Sequence, residues 1–569
     1  MSEAIISFEN FTFQYNAQAS PTLHDINLQI SKGEKILIAG PSGCGKSTLV
    51  HCINGLIPFS YPGEMTGSLK IRGQETRDLS LFDISKTVGT VLQDSDAQFV
   101  GLTVAEDIAF ALENDCVPGP DLHAEVLRAA KKVNVESHLG HAPTELSGGQ
   151  KQRVSMAGIL VDDVDVLLFD EPLANLDPAT GKQAIELIDT IAQQTGAAVV
   201  IIEHRLEDVL HRHVDRVVLM SEGRIVSDSS ADELLSSTLL EDNGIRNPLY
   251  ITALKYAGVK ITPEMHPWSI REIDLNEESK EKVRTWFRET PPAAPRPERP
   301  WILQAENLDF SYANGHHALK SISASVRKGE LIAIVGTNGA GKSTFSKVLC
   351  GFEKQQSGRI FFDGKDIADL SIRERADRLG YVMQNPNQMI SKVMIYDEVA
   401  LGLRMRGLDE EIIREKVEET LKICGLWPFR NWPISALSYG QKKRVTIASI
   451  LVLQPEMILL DEVTAGQDYR HYTDIMEFLK ELNRQGITIV MITHDMHLML
   501  EYAERALVFD GGKIIADAPC ADILTSPDII EKASLKETSL YELALRCDIE
   551  NGREFVQRFI DYEREVYGR

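Results

Sequence analysis

Two stretches of the chain have the residue types and spacing that bind the phosphates of a nucleotide. They read GPSGCGKST at 40–48 and GTNGAGKST at 336–344. Each follows a short apolar run, ILIA or IAIV, and precedes a pattern typical of a helix. Glycines at a strand-to-helix turn let backbone N–H groups surround phosphate oxygens at a helix N-terminus, where the dipole favours anions. The sequence therefore predicts two phosphate-binding loops.

Lysine and hydroxyl side chains in these loops extend the prediction to a magnesium nucleotide. Lys46 and Lys342 are placed to reach the β- and γ-phosphates, and Ser47 and Ser343 are placed to bind Mg²⁺. The loop residues that we expect to contact the nucleotide are Gly40, Ser42, Gly43, Gly45, Lys46, Ser47 and Thr48 in the first loop, and Gly336, Asn338, Gly339, Gly341, Lys342, Ser343 and Thr344 in the second.

An acidic pair follows a strongly apolar run in each half of the chain. The runs VLLFDE and MILLDE are typical of buried strands in a parallel sheet. Asp170 and Asp461 are expected to hold the magnesium ion, and Glu171 and Glu462 to polarise the attacking water. Alone, such a pair is usually a solvated edge or a helix cap, but the loops upstream favour the catalytic interpretation.

The motifs recur in the same order in both halves of the chain. FENFTFQY at 8–15 matches AENLDFSY at 305–312, and LSGGQKQRV at 146–154 matches LSYGQKKRV at 437–445. The leucine of this second motif precedes the acidic pair by the same number of residues in both halves. The chain therefore contains a long internal repeat, and each repeat is long enough to be a domain.

A proline-rich segment, RETPPAAPRPERP, separates the two repeats. Its prolines exclude a helix or a central strand, so we expect a semi-rigid extended linker. The predicted parts are a first ATPase domain at 1–230, a charged helical extension at 231–287, the linker at 288–300, a second ATPase domain at 301–520 and a C-terminal helical extension at 521–569.

Composition narrows the class of protein. The 569 residues are 43% hydrophobic and carry a net charge of −24, which argues against nucleic-acid binding. The sequence has no apolar run long enough to span a bilayer, and its beginning lacks the pattern of a signal peptide. The seven cysteines form no C-x-x-C pair, which argues against disulfides and a zinc site. We expect a protein of the cytosol.

Both halves resemble ATP-binding-cassette (ABC) ATPases over most of their length, and the motif at 146–150 and 437–441 is specific to that family. The resemblance implies an α/β fold with two tandem ABC-type P-loop nucleotide-binding domains, each with a RecA-like core, a helical subdomain and a small antiparallel sheet. It also implies ATP and Mg²⁺ as cofactors.

Further site residues follow from this resemblance. Gln93 and Gln384 match the Q-loop glutamine, which contacts magnesium and the catalytic centre, and His204 and His494 match the switch histidine. Tyr15 and Tyr312 match the aromatic residue that stacks on adenine, ANLD at 174–177 and AGQD at 465–468 match the D-loop, and the signature residues are Ser147, Gly149, Gln150, Ser438, Gly440 and Gln441.

In the family, two cassettes pack head to tail, so that each nucleotide lies between the P-loop of one and the signature of the other. Two cassettes in one chain imply an intramolecular dimer, because covalent linkage raises the effective concentration of each partner. Tyr439 replaces a signature glycine, but the backbone N–H remains. We expect two competent but unequal sites: Lys46 and Glu171 with Ser438, and Lys342 and Glu462 with Ser147.

Within the family, the chain resembles the energy-coupling-factor (ECF) import ATPases. The segments QDSDAQF and QNPNQM after Gln93 and Gln384 resemble the region that receives the coupling helices of a membrane subunit, and Asp94 and Asp96 resemble acids that meet its arginines. The likeness is greatest to fused double ATPases linked to thiamine or hydroxymethylpyrimidine uptake. It implies a transmembrane scaffold subunit, a small membrane substrate-binding subunit and a location at the cytoplasmic face of the membrane.

Two other classes stay open. Fused ATPases of sugar importers are also twin cassettes, although their second cassette usually has an altered signature. Soluble twin-cassette proteins act on ribosomes, but they typically join their cassettes through a long charged helical arm, whereas this linker is short and rich in proline.

Overall fold

The computed structural model describes residues 4–93, 97–174, 176–292, 297–464 and 469–566. The chain divides into two compact units, one made mainly of residues 1–283 and the other mainly of residues 284–569. Among the described residues, no helix combines the length and the apolar character needed to cross a bilayer.

Ten strands lie among the described residues of the first half. They are β1 Ala4–Tyr15, β2 Leu23–Ser31, β3 Lys35–Ala39, β4 Gly63–Ile71, β5 Gln74–Glu75, β6 Val88–Val91, β7 Val166–Asp170, β8 Ala198–Ile202, β9 Arg216–Ser221 and β10 Arg224–Ser229.

Its helices alternate with these strands and then follow them. They are α1 Lys46–Ile53, α2 Leu56–Phe59, α3 Leu81–Ser85, α4 Val104–Asn114, α5 Gly119–Lys132, α6 Gly148–Leu160, α7 Pro178–Thr195, α8 Leu206–Val209, α9 Ala231–Leu235, α10 Leu239–Asp242, α11 Leu249–Tyr256 and α12 Glu277–Glu289.

The central sheet of the first unit has the strand order β10-β9-β3-β8-β7-β6. All neighbours are parallel except β9 and β10. Strands β7 and β8 are buried along their whole length, which is why their sequences are continuous apolar runs. Because parallel strands end at one edge, the loops after β3, β6, β7 and β8 meet there.

A smaller antiparallel sheet, β2-β1-β4-β5, covers one face of this core. Phe8, Phe11 and Phe13 of β1 are fully buried and belong to one apolar cluster with Ile36 and Ile38 of β3. Helix α1, which begins inside the first phosphate loop, contributes to the same cluster. The loop is therefore anchored between two sheets.

Helices α4, α5 and α6 pack together as a helical part beside the sheet. Helix α4 begins at a capping box in which Thr103 accepts the Glu106 N–H and the Glu106 carboxylate accepts the Thr103 N–H. Helix α6 begins at Ser147 in the same way. The signature therefore sits at a helix start that its own residues specify.

The second half repeats these elements. Its strands are β11 Trp301–Ser311, β12 His317–Arg327, β13 Leu331–Gly336, β14 Ser357–Phe362, β15 Lys365–Asp366, β16 Leu379–Val382, β17 Met457–Asp461, β18 Thr488–Ile492, β19 Ala506–Asp510 and β20 Lys513–Ala518. Its helices are α13 Lys342–Cys350, α14 Ile372–Ala376, α15 Ile395–Met405, α16 Glu410–Ile423, α17 Tyr439–Leu451, α18 Tyr469–Arg484, α19 Met496–Tyr502, α20 Cys520–Ile523, α21 Pro527–Lys532, α22 Ser539–Arg546 and α23 Gly552–Val566.

The sheets of the second unit have the orders β16-β17-β18-β13-β19-β20 and β12-β11-β14-β15, which match those of the first unit strand for strand. The predicted fold class is confirmed: each unit combines a largely parallel α/β core, a helical part and a small antiparallel sheet.

Helices α9, α10, α11 and most of α12 lie within residues 231–287, and helices α20 to α23 lie within residues 520–566. Helix α12 runs to Glu289, two residues into the segment predicted as linker and just before its first proline at Pro291. Residues 293–296 of that segment lie outside the described residues. In the second unit, Trp286 packs edge-on against Phe555 and Tyr562 of α23, so the end of α12 is held by the C-terminal helix.

Candidate functional site

Each phosphate loop passes so close to a neighbouring strand that its first glycine cannot be replaced. A Cβ on Gly40 would lie 2.4 Å from the Met220 carbonyl oxygen, and one on Gly336 would lie 1.9 Å from that of Phe509. The loop tips at 42–43 and 338–339 are exposed. The loops are therefore fixed at their bases and open at their tips.

The loop lysines are buried and point back into their own loops. Lys46 donates to the carbonyls of Gly40 at 2.8 Å and Pro41 at 2.9 Å. Lys342 donates to the carbonyls of Gly336 at 2.9 Å and Thr337 at 2.8 Å. Both ammonium groups thus lie inside the ring of backbone that surrounds a phosphate in loops of this type.

Asp170 and Asp461 end strands β7 and β17 and are each only 8% exposed. Burial and the neighbouring charge of Glu171 raise the pKa of Asp170 to about 6. Burial likewise raises the pKa of Asp461. The Ser343 hydroxyl donates to Asp461 Oδ1 at 3.3 Å, so two of the predicted magnesium ligands of the second unit are adjacent.

Tyr381 is a site residue that sequence reasoning missed. Its hydroxyl donates to Asp461 Oδ2 at 2.8 Å from strand β16. Thr90 occupies the same position of β6 in the first unit and accepts from the Asn54 amide at 3.4 Å. The only sequence signal is a tyrosine inside a buried strand, which by itself indicates core packing.

Each predicted catalytic glutamate is held from two sides. Glu171 Oε1 lies 2.6 Å from His204 Nε2, and its Oε2 accepts from the Gln93 amide. Glu462 Oε1 lies 3.0 Å from His494 Nε2, and its Oε2 accepts from Gln384 at 2.9 Å. The structure therefore brings together the glutamate, the histidine and the glutamine in both units.

The backbone at these glutamates is strained. Glu171 has φ 49° and Glu462 has φ 47°, in the left-handed region that residues with a Cβ rarely adopt. Their N–H groups donate to the carbonyls of Ile202 at 3.0 Å and Ile492 at 3.1 Å. Such strain is characteristic of functional positions that the surrounding structure over-determines.

Local charges keep both glutamates ionised. Burial alone would raise the pKa of Glu171, but the hydrogen bond and charge of His204 and the charge of Lys46 lower it. The pKa of Glu462 is lowered in the same way by His494 and Lys342. An ionised carboxylate can accept a proton from water, as a general base must.

Tyr15 and Tyr312 lie beside the phosphate loops. Their hydroxyl groups are 3.1 Å from Thr48 Oγ1 and 2.9 Å from Thr344 Oγ1, respectively. The tyrosine rings thus lie next to the start of the helix that follows each loop. The predicted stacking on adenine stays a prediction.

Both signatures begin a helix through a capping box. Ser147 Oγ accepts the Gln150 N–H at 3.4 Å, and Ser438 Oγ accepts that of Gln441 at 3.3 Å. Gly149 packs against α7, where a Cβ would lie 2.5 Å from the Thr180 methyl carbon. At Gly440 the nearest atom would be 3.8 Å away.

Lys443 is a second residue that sequence reasoning missed. It is 1% exposed and donates to the carbonyls of Glu462, at 3.3 Å, and Val463. Gln152, at the same position of the first signature, donates to the Pro172 carbonyl at 2.5 Å. Burial lowers the pKa of Lys443 to about 8 against the opposing charge of Glu462.

Three elements predicted for the site fall wholly or partly outside the described residues. Asp94 and Asp96 are outside, as are Asn175 of the first D-loop and residues 465–468, the whole second D-loop.

The residues present fit a magnesium nucleotide. A glycine loop with a buried lysine leads to a helix N-terminus, which suits phosphate. Buried Asp461 beside the Ser343 hydroxyl offers the oxygen ligands that Mg²⁺ prefers, and a cation offsets the cost of burying the carboxylate. Glu462 directly follows Asp461 in the chain and is the residue expected to polarise a water.

Comparison with known proteins decides the family. A family model described as ABC transporter matches residues 23–174 and 319–465. The chain belongs to the ABC transporter ATP-binding proteins. A second family model, described as ATP-binding cassette cobalt transporter, matches residues 237–310. The chain is thus an ATPase built from two ABC cassettes, one in each unit.

Similar proteins cover its whole length. A Clostridium perfringens protein named as an ABC transporter ATP-binding protein is 57% identical over 99% of both chains. One from Enterococcus faecalis with the same type of name is 55% identical over 100% of both. The solved structure of CbiO1 from Clostridium perfringens, described as part of the ABC transporter complex CbiONQ, is 37% identical; it covers 41% of this chain and 94% of that one, with a TM-score of 0.38.

Proposed function

We propose that this ATPase energises an ECF-type importer for a vitamin or related micronutrient. It would act at the cytoplasmic face of the membrane, on a transmembrane scaffold subunit and a small membrane substrate-binding subunit. The observation that carries the proposal is the segment after the first cassette, since residues 237–310 match a family described as ATP-binding cassette cobalt transporter.

Two composite ATP sites would drive the importer. In each, the loop lysine would bind the β- and γ-phosphates, and the serine and aspartate would hold the magnesium ion, which neutralises phosphate charge when bound. Glu171 and Glu462 would polarise the attacking water, with His204 and His494 holding their carboxylates at 2.6 and 3.0 Å. The signature serine of the other cassette would complete each site.

Apolar surface next to Gln93 and Gln384 supports docking to a membrane subunit. Leu102 is 83% exposed and Val100 63% exposed, between Gln93 and helix α4. Val393 is 73% exposed at the same place in the second cassette. Exposed apolar side chains grouped in this way are typical of interaction sites.

Two cargoes are candidates. The likeness of the whole chain to fused double ATPases favours thiamine or its hydroxymethylpyrimidine precursor. The description of the second family model favours cobalt. Since the cargo would be chosen by the membrane substrate-binding subunit, the ATPase sites are compatible with either cargo.

Purification of the tagged chain from detergent-solubilised native membranes tests the proposal. We expect mass spectrometry to find a polytopic scaffold and a small hydrophobic protein, whose bound ligand names the cargo. Leu102→Glu should lower the recovery of the scaffold at least fivefold, because it places a charge in the apolar surface. Leu545→Glu is the matched control, since Leu545 is 55% exposed on α22, in the C-terminal extension that carries no Q-loop residue.

Other outcomes contradict the proposal in different ways. Recovery of ribosomal proteins would favour a ribosome-associated factor, and recovery of a sugar permease would favour another type of importer. Equal recovery of the scaffold with both leucine variants would leave the importer standing and reject the docking surface.

A further inference from the structure

We propose that Glu203 and Arg205 are positioning residues of the first ATP site. Together they fasten the main chain that follows Glu171 to the loop that carries His204. We call the two side chains and their bonds to Leu173 the Glu203–Arg205 clamp. The proposal rests on the catalytic roles proposed above for Glu171 and His204.

Glu203 joins the two segments through its carboxylate. Its Oε2 accepts the Leu173 N–H at 3.3 Å, and its Oε1 accepts the N–H groups of His204 at 2.8 Å and Arg205 at 3.3 Å. The Arg205 guanidinium donates to the Leu173 carbonyl. The backbone N–H and the carbonyl of Leu173 are thus both bonded to side chains that flank His204.

Because Glu203 is buried, its carboxylate depends on these hydrogen bonds for its stability. The residue is 3% exposed, and a buried carboxylate is costly unless hydrogen bonds compensate its desolvation. Its compensation comes from three backbone N–H groups and from Arg205 Nε at 3.9 Å. The clamp can open only if this carboxylate loses partners, so the open state is disfavoured.

The clamp closes a ring around the catalytic pair. Glu171 contacts His204 through their side chains at 2.6 Å, and Leu173 lies two residues beyond Glu171 in the chain. The Glu203 carboxylate accepts both the Leu173 N–H and the His204 N–H, which completes the ring. The distance between glutamate and histidine is therefore constrained by a side-chain contact and by the backbone on either side of it.

The second cassette has a different arrangement. Thr493 and Asp495 replace Glu203 and Arg205, and both bond locally: Thr493 Oγ1 accepts the Asp495 N–H at 3.0 Å. Asp495 Oδ1 accepts the N–H groups of His497 at 2.9 Å and Leu498 at 3.0 Å, which caps helix α19. The corresponding glutamate–histidine distance is 3.0 Å, longer than in the first cassette.

A clamp of this kind should act on the chemical step. Holding a general base in its reactive position lowers the barrier to hydrolysis without adding contacts to the nucleotide. Loss of the clamp is therefore expected to lower kcat while leaving KM for ATP nearly unchanged. Loss of a purely structural bond would lower stability alone.

The test compares Glu203→Thr, which copies the second cassette, with the parent full-length chain that keeps Glu203. Both carry Glu462→Gln, so that turnover depends on Glu171. We expect Glu203→Thr to lower kcat about tenfold, with KM for ATP within about twofold. Glu203→Gln keeps one acceptor oxygen, so it should recover part of the rate, to within about threefold of the parent.

A matched control separates positioning from stability. Glu330 is also 3% exposed and accepts a backbone N–H, from Arg327 at 2.8 Å, and the Arg505 guanidinium, but it lies just before β13, at the end of the strand remote from the P-loop. Glu330→Thr should lower Tm as much as Glu203→Thr and leave kcat within about twofold.

Each remaining outcome has one meaning. A kcat for Glu203→Thr within twofold of its parent would overturn the clamp. If Glu171→Gln also left the rate intact, the proposed role of Glu171 would fail instead. If Glu462→Gln alone abolished turnover, the sites would be coupled, and the same comparison in the chain with Glu462 intact would report on the clamp.

Discussion

Tyr439 shows which part of a signature has to be kept. The ring replaces a glycine at the first position of α17, is 43% exposed, and lies 5.1 Å from the Lys443 ammonium. The Ser438 cap uses only the serine side chain, Gln441 and backbone groups. The substitution therefore leaves intact the groups that can face a phosphate.

Replacement of the tyrosine tests this reasoning. Tyr439→Gly should leave steady-state ATP hydrolysis by the purified chain within about twofold, because the cap does not use the ring. Ser438→Ala removes the cap hydroxyl and should reduce hydrolysis about tenfold if Ser438 faces a nucleotide. A fivefold or greater change with Tyr439→Gly would show that the ring takes part in turnover.

At the same scale, the sequence predicts site residues that belong to a spaced motif and misses those that act through the fold. Lys46 and Glu171 were predictable because loop and strand motifs determine their places. Tyr381 of β16 reaches Asp461 on the neighbouring strand β17, and Glu203, just after β8, reaches Leu173, which follows the neighbouring strand β7. Their partners are distant in sequence, and no local pattern marks either residue.

At the scale of elements, strand order gathers the site. Strands β3, β8, β7 and β6 are neighbours in the sheet, although the chain visits them in another order. The apolar runs predict buried parallel strands, but they do not give this order. The extensions after each cassette were predicted as helical from charge and composition, whereas the packing of Trp286 on α23 depends on tertiary contacts.

A buried arginine contacts the C-terminal end of helix α13, the helix that carries the second P-loop lysine. Arg375 of α14 is 3% exposed and donates to the carbonyls of Val348 at 3.0 Å and Leu349 at 2.9 Å. It also donates to the carbonyls of Ala368 at 3.0 Å and Leu370 at 3.2 Å. One side chain thus donates to four carbonyl groups, two of them in the last turn of α13, where the Val348 carbonyl also accepts the Gly351 N–H at 3.1 Å.

Removal of this arginine should destabilise the second cassette. Arg375→Ala removes a charged donor from four carbonyls and opens a cavity, so we expect a loss of about 3 kcal/mol in unfolding free energy. Urea denaturation of the full chain measures it. Arg373→Ala, an exposed arginine on the same helix, is the control and should change stability by less than about 0.5 kcal/mol. Equal effects of both variants would contradict the capping role.

At the scale of the whole molecule, the repeat explains why every motif occurs twice. Both cassettes keep the loop lysine, the acidic pair and the histidine in contact with the glutamate. They differ around these groups: Tyr381 against Thr90, Lys443 against Gln152, and the Glu203–Arg205 clamp against Thr493 and Asp495. Two functional sites with unequal rates are the expected consequence.

Paired glutamate variants test that consequence. Glu171→Gln and Glu462→Gln each keep the size of the side chain and remove its charge, so each should disable one site. We expect each single variant to lose part of the ATP turnover, by unequal amounts, and the double variant to lose at least a hundredfold. Mg²⁺-dependent ATP binding, measured with a fluorescent analogue, should persist in all three, because the P-loops are unchanged.

If Glu171→Gln abolished turnover while Glu462→Gln left it intact, the second acidic pair would not be catalytic. The near-identity of the two glutamate–histidine–glutamine arrangements would then reflect shared ancestry of the repeats rather than shared chemistry.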